Sequence, residues 1–222
     1  MRFPSKISLL NWRSIILVLF PILNAGCFEY DEMIFMKVDG SGELMIHYQA
    51  EKDMKFENLY FPTDLYDVKD NIKRNYLSGG LTEKFHEIRQ KEDLTHVYME
   101  FEFDSLALLN VTPSFQNERF ETVRTENNIT LKRFIYLDED KLDRTKMFLK
   151  LGLRSLFSKN VFSKIKFRFQ WIVPGLITDT NANILGDKNR AIWNITLEEI
   201  LVKRSVEFFV EYEPVNMMNK ND

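Results

Sequence analysis

Apolar and polar residues alternate along most of the chain. Met33 to Val38 is an apolar, β-rich run, Asp39-Gly40-Ser41-Gly42 is a turn sequence, and Leu44, Ile46 and Tyr48 then alternate with Met45, His47 and Gln49. Two strand-like runs around a glycine-rich turn predict a β-hairpin. Phe85–Arg89 and a turn at Lys91–Asp93 lead into the clearest strand. There Val97, Met99, Phe101 and Phe103 share one face, and Tyr98, Glu100, Glu102 and Asp104 share the other. Phe120–Thr125 and Ile129–Leu137 flank Asn127-Asn128 as a further hairpin. Ile165, Phe167, Phe169, Trp171 and Val173 alternate with Lys164, Lys166, Arg168, Gln170 and Ile172, and Pro174-Gly175 stops that strand. A long loop over 174–190 is expected next. Ala191–Thr196, a helical turn at Leu197–Leu201 and a last strand through Val206, Phe208, Val210 and Tyr212 follow.

Two stretches change period. Residues 64–77 place Leu65, Val68, Ile72, Tyr76 and Leu77 at helical spacing, with Asp64 or Thr63 able to cap the start and Gly79-Gly80 ending the helix. Residues 140–158 place Leu142, Thr145, Leu149, Leu153 and Leu156 three and four apart. Met147, Phe148, Leu151 and Phe157 broaden that apolar face. A short helix is also expected near Ser105–Asn110. The fold class predicted is α+β: an antiparallel β-sheet built from hairpins, packed against one long and one or two shorter helices, after an N-terminal signal segment.

That segment stands apart in charge. Residues 1–26 contain Arg2, Lys6 and Arg13 and no acid, whereas the whole chain is at −3. The remainder is therefore acidic, which disfavours nucleic acid as a partner. The apolar run Ile15–Leu23 is shorter than the roughly 20 residues that a membrane-spanning helix needs. A basic start, an apolar run and small residues before a cut site describe a signal peptide. The chain has a single cysteine, Cys27, so no disulfide framework is indicated. Leu23-Asn24-Ala25-Gly26-Cys27 resembles the lipobox of bacterial lipoproteins, with Asn24 where that family usually has an aliphatic residue. The resemblance implies cleavage before Cys27, acyl chains on Cys27, and anchoring to a membrane of a bacterial cell envelope. The expected organisation is a signal peptide over 1–26, a single ectodomain over 27–215 and a disordered tail over 216–222.

Asp39-Gly40-Ser41-Gly42-Glu43-Leu44, together with the stretches Phe169–Ala182 and Ala191–Leu197, resembles the LppM-type bacterial lipoproteins. The resemblance implies an exported α+β ectodomain with an apolar cavity between sheet and helix, suggested to hold lipid or glycolipid, and no catalysis. On this reading Leu149, Leu153, Leu156, Phe167, Phe169, Trp171 and Trp193 are the cavity candidates. Lys146, Lys150 and Arg154 recur every four residues and are the candidates for contact with lipid headgroups. The rival expectation is an interaction or envelope scaffold module that docks a protein partner through an exposed sheet or the loop 174–190.

Other chemistry is weakly signalled. Asp39–Gly42 lacks the helix and the Lys-Ser/Thr of a phosphate loop. Asp179 to Asp187 resembles a calcium loop with its glycine two places late and Arg190 where a bidentate Glu belongs. His86 and His96 could face each other across a hairpin, but two histidines alone do not make a zinc site. No Ser lies in a G-x-S-x-G elbow. The expectation is no enzyme, no metal and no cofactor. Asn110, Asn128 and Asn194 open Asn-x-Thr tripeptides that chance readily produces.

Overall fold

The alternation of the first hairpin becomes the centre of a large sheet. The structure is a computed structural model, and it describes residues 28–52, 54–56, 59–136, 165–203 and 205–215. Strands β1 (Glu29–Met36) and β2 (Gly42–Ala50) pair antiparallel about the expected turn. Asp39 Oδ1 accepts hydrogen bonds from Ser41 N at 3.0 Å and Ser41 Oγ at 2.6 Å, while Gly40 supplies the positive φ of 91°. A small hairpin, β3 (Met54–Phe56) and β4 (Leu59–Phe61), leads to helix α1 (Leu65–Asn75). Asp64 caps α1 by accepting from Asp67 N at 2.9 Å. Strands β5 (Thr82–Lys91) and β6 (Leu94–Phe103) form the next hairpin, and β7 (Glu118–Arg124) and β8 (Ile129–Tyr136) another. After residue 164 come β9 (Lys166–Ile172), β10 (Gly175–Thr180), β11 (Ile184–Gly186) and β12 (Arg190–Thr196). Helix α2 (Leu197–Lys203) then leads to β13 (Ser205–Pro214).

These strands make two facing sheets. The larger has seven strands in the order β11-β12-β9-β1-β2-β6-β5, and the smaller has four in the order β10-β13-β8-β7. The inner face of the larger sheet carries Ile34, Leu44, Ile46, Phe101, Phe169, Trp171 and Trp193, all buried. Phe208 of β13 meets Phe169 at 5.1 Å and Trp193 at 5.2 Å between ring centroids, so the smaller sheet covers the β1-β9-β12 half. Helix α1 covers the β2-β6 half through Val68, Ile72 and Tyr76, with the Tyr76 ring stacked 4.6 Å from Phe101.

The sheet-on-helix expectation is therefore corrected: strand dominates, and a second sheet does most of the covering assigned to a long helix. The longest helix among the described residues is α1, of 11 residues. Period-two alternation marks which side chains face inward but not which sheet a strand joins. For the same reason a sheet of hairpins alone was expected, yet β1 and β9 pair in parallel at the sheet centre. The expected loop 174–190 contains β10 and β11. The expected helix over 140–158, the segment 1–26 with Cys27, and the tail 216–222 lie outside the described residues.

Candidate functional site

The outer face of the larger sheet is where the structure leaves room. Three of the rows that its side chains form across the strands, fixed by the pairing register, border that space. Thr196, Lys166, Glu29 and Gln49 make the first; Asn194, Arg168, Asp31, His47 and Tyr98 the second; Ile192, Gln170, Met33, Met45, Glu100 and Phe85 the third. A hollow of about 590 Å³ lies over the first two rows. Another, of about 220 Å³, lies over the second and third. Asp31 and His47 line both, so the hollows adjoin as one trough.

The trough changes character along its length. At the end where β1 and β9 begin it is charged but balanced. Glu29 pairs in register with Lys166, and Asp31 with Arg168, whose guanidinium is 3.9 Å from the Asp31 carboxylate. Gln170 Nε2 donates to Asp31 Oδ1 at 2.8 Å, which fixes the carboxylate from the other side. At the far end Met33, Met45 and Phe85 supply apolar wall, interrupted by Glu100, which lies between Met45 and Phe85 and is ion-paired with Lys84 at 3.1 Å.

His47 stands at the junction. Its ring stacks 4.3 Å from Tyr98 with planes within 8°. Its Nε2 lies 3.2 Å from His96 Nδ1, and the two rings are parallel within 5° at a centroid separation of 5.5 Å. That separation is only a ring width more than the gap between the nitrogens. The imidazoles therefore lie edge to edge and share one head-on hydrogen bond, donor on one ring and acceptor on the other. Lone pairs aimed at each other do not converge on a third point, as tetrahedral zinc requires. Burial pushes the pKa of His47 below its ordinary 6.5, and His96 pushes it further, against Asp31 and Glu29. The sequence missed this pair. The hairpin turn sets Arg89 opposite His96 and His86 opposite Met99, so His86 and His96 do not face each other. His86 instead has its Nδ1 2.6 Å from Glu83 Oε1.

The remaining sequence candidates separate cleanly. Among the cavity candidates, Phe167 borders the larger hollow but turns its ring inward, stacked 6.3 Å from Phe169 and 6.0 Å from Phe28. Phe169, Trp171 and Trp193 are packed between the sheets, the two indoles edge to face at 5.8 Å. Leu149, Leu153, Leu156, Lys146, Lys150, Arg154 and Cys27 lie outside the described residues. The calcium-like segment spends its oxygens on structure. Asn181 Oδ1 accepts from Trp193 Nε1 at 2.9 Å and Phe209 N at 3.0 Å, and Asn183 Oδ1 accepts from Asn194 N at 2.8 Å. Among the described residues no three His, Cys, Asp or Glu side chains gather in a metal-binding arrangement.

A second polar cluster, unsignalled by any motif, sits between the sheets. Arg133 of β8 donates from Nη2 to Glu32 of β1 at 3.2 Å and from Nε to Glu118 of β7 at 2.6 Å. The Tyr30 hydroxyl donates to Glu32 at 2.8 Å. Burial works against the Arg133 charge, but Glu118 and Glu32 override it and hold the guanidinium protonated. Burial raises the Glu118 pKa against the pull of Arg133. Burial likewise pushes the Tyr30 phenol well up, helped by Glu32. With Phe115, Phe120 and Phe169 around the guanidinium at 4.6–5.8 Å, this cluster acts as a polar rivet between the sheets.

Fold and trough together define a two-sheet β domain with an amphipathic channel on its outer face. No protein-family model matches the chain, and no curated protein matches it. Among solved structures it is similar to the NMR structure of the folded domain of Mycobacterium tuberculosis LppM, with 11% identity and a TM-score of 0.49, over 85% of this chain and 90% of that one. A likeness of that degree defines neither a shared family nor a shared function.

Proposed function

We propose that the protein is a membrane-tethered, non-catalytic ectodomain of a bacterial cell envelope that holds a lipid or glycolipid in the outer trough. The tether rests on the lipobox-like Leu23–Cys27 pentapeptide. Two or more acyl chains, each contributing about 0.8 kcal/mol per buried CH₂, hold a protein stably on a bilayer.

The ligand class rests on one observation: the trough is charge-balanced at one end, and at the other Met33, Met45 and Phe85 give it an apolar wall beside the ion-paired Glu100. Carboxylates alternate with cations in its charged part, an arrangement that suits sugar hydroxyls or a zwitterionic headgroup better than a bare anion. Met33, Met45 and Phe85 suit a hydrocarbon chain. None of the trough-lining residues is Ser or Cys, and Thr196 Oγ1 is 3.0 Å from Glu199 Oε2.

Native mass spectrometry of the full chain purified from membranes tests this. The expected result is a lipid released by organic solvent in addition to the covalent anchor, lost in the Met33→Glu/Met45→Glu double variant. A wild-type protein that carries no extractable lipid and takes none from mixed micelles would overturn the ligand reading and favour a protein-docking module.

A further inference from the structure

The position of the anchor fixes which part of the domain meets the bilayer. This inference rests on the reading of Cys27 as the lipidated residue. Cys27 is joined directly to Phe28, and consecutive Cα atoms are only about 3.8 Å apart. Phe28 has no slack of its own. It is fully buried, its ring is 4.6 Å from Phe61 and 6.0 Å from Phe167, and its carbonyl accepts from Lys166 N at 3.2 Å. No linker separates the acyl chains from the sandwich.

Several elements terminate at that same end. β1 and β9 are parallel, so both begin there. Ile165 O accepts from Leu197 N at 3.0 Å, which seats the start of α2 beside them. α2 then crosses from the larger sheet to the smaller, and its Val202 is 74% exposed. Tyr48 OH donates to Pro62 O at 2.6 Å and so holds the approach to α1 nearby, where Tyr66 is 79% exposed. The smaller sheet releases the chain at Tyr136, which pairs with Ser205 just after α2, and the larger sheet takes it up at Ile165. Tyr136 and Ile165, which flank residues 137–164, therefore both lie at this end, and the sequence between them carries seven Lys or Arg against four acids, Asp138, Glu139, Asp140 and Asp143.

We propose that this end of the sandwich, with Phe28, the start of α1 and α2 as its base, rests on the bilayer surface, so that the trough opens at the lipid headgroups between Glu29, Lys166 and Thr196. A lipid then enters chain first, its hydrocarbon reaching Met33 and Met45 while its headgroup stays beside Lys166 and Arg168. The β1–β2 turn points away from the membrane. Seven residue steps along β1 at about 3.3 Å each put Val38 more than about 20 Å from the base.

The test uses the full acylated chain in vesicles of phosphatidylcholine and phosphatidylglycerol that carry a headgroup-attached quencher. An acylated Cys27 leaves the protein without a free thiol, so Tyr66→Cys, Val202→Cys and Val38→Cys each accept one fluorophore at an exposed position. The expected result is at least twofold quenching at positions 66 and 202 and none at 38. Equal quenching at all three, or quenching at 38 alone, would overturn the orientation while leaving the tether intact. Cys27→Ala reads the tether separately. If that variant stays on the vesicles, or intact mass shows a second label at Cys27, the lipidation reading fails and the orientation fails with it.

Discussion

Arg133 reaches from the smaller sheet to Glu32 on the central strand of the larger, and the side chains of both are 1% exposed. This ion pair, with Glu118 on its other side, crosses an interface that is otherwise apolar. Burying charges is costly, and mutual attraction offsets the cost only when every partner is in place.

Removing one partner should therefore cost far more than removing all. Arg133→Met leaves two carboxylates buried without their cation and is expected to lose about 3–5 kcal/mol in urea unfolding. The triple change Glu32→Leu/Glu118→Leu/Arg133→Met should recover most of that loss. A single variant within about 1 kcal/mol of wild type would show that water reaches the cluster.

The His47–His96 hydrogen bond predicts a pH response of definite sign. His47 titrates below its ordinary 6.5 in the folded state. The unfolded chain then binds the proton first as pH falls. Stability contributed by neutral His47 is present above the unfolded value and is lost as pH drops through the folded one. The thermal midpoint should fall between pH 7 and pH 5, and His47→Gln should flatten that part of the profile. An NMR titration placing the His47 ring at or above 6.5 would contradict it.

Two glycines should respond differently to alanine. A Cβ on Gly175 would lie 2.0 Å from the Glu213 carbonyl oxygen, which is backbone and cannot swing away. A Cβ on Gly40 has room, and its cost is conformational, about 1–2 kcal/mol for a left-handed φ. Gly175→Ala should be the more damaging in chemical denaturation, because β10 must part from β13.

The interior aromatics should behave as core. Trp171→Ala is expected to cost about 3–5 kcal/mol, as large-to-small changes in packed interiors do. Substituting the trough residues Met33 and Met45 should instead alter ligand content with little change in unfolding midpoint. If Trp171→Ala proved neutral, the space between the sheets would be looser than the ring contacts indicate.

Much of the fold is legible in the sequence because strand alternation is a local property. The hairpin turning at Asp39–Gly42, the strand through Val97–Phe103 and the last strand through Val206–Tyr212 follow directly from it. What sequence does not carry is partnership. His47 and His96 lie 49 residues apart and meet only because β2 and β6 are neighbours. β10 was hidden because Gly175-Leu-Ile-Thr-Asp-Thr180 follows a proline and is mostly exposed, so it lacks a buried row.

The buried ion cluster did leave a trace. Arg133 sits between Leu131 and Ile135 in the inward frame of β8, and Glu32 sits between Tyr30 and Ile34 in that of β1. A charge of each sign at an inward strand position invites the question of whether they pair. The trough left almost none, since its walls come from six strands and its polar residues look like ordinary solvent-facing ones.

The parallel pairing of β1 with β9 also bears on how the chain is assembled. The first strand to be made lies in the middle of the larger sheet, and one of its two flanking partners arrives only after residue 165. Contacts between such distant parts of a chain close slowly. The newborn protein must leave one edge of its first strand unpaired until most of its length has emerged.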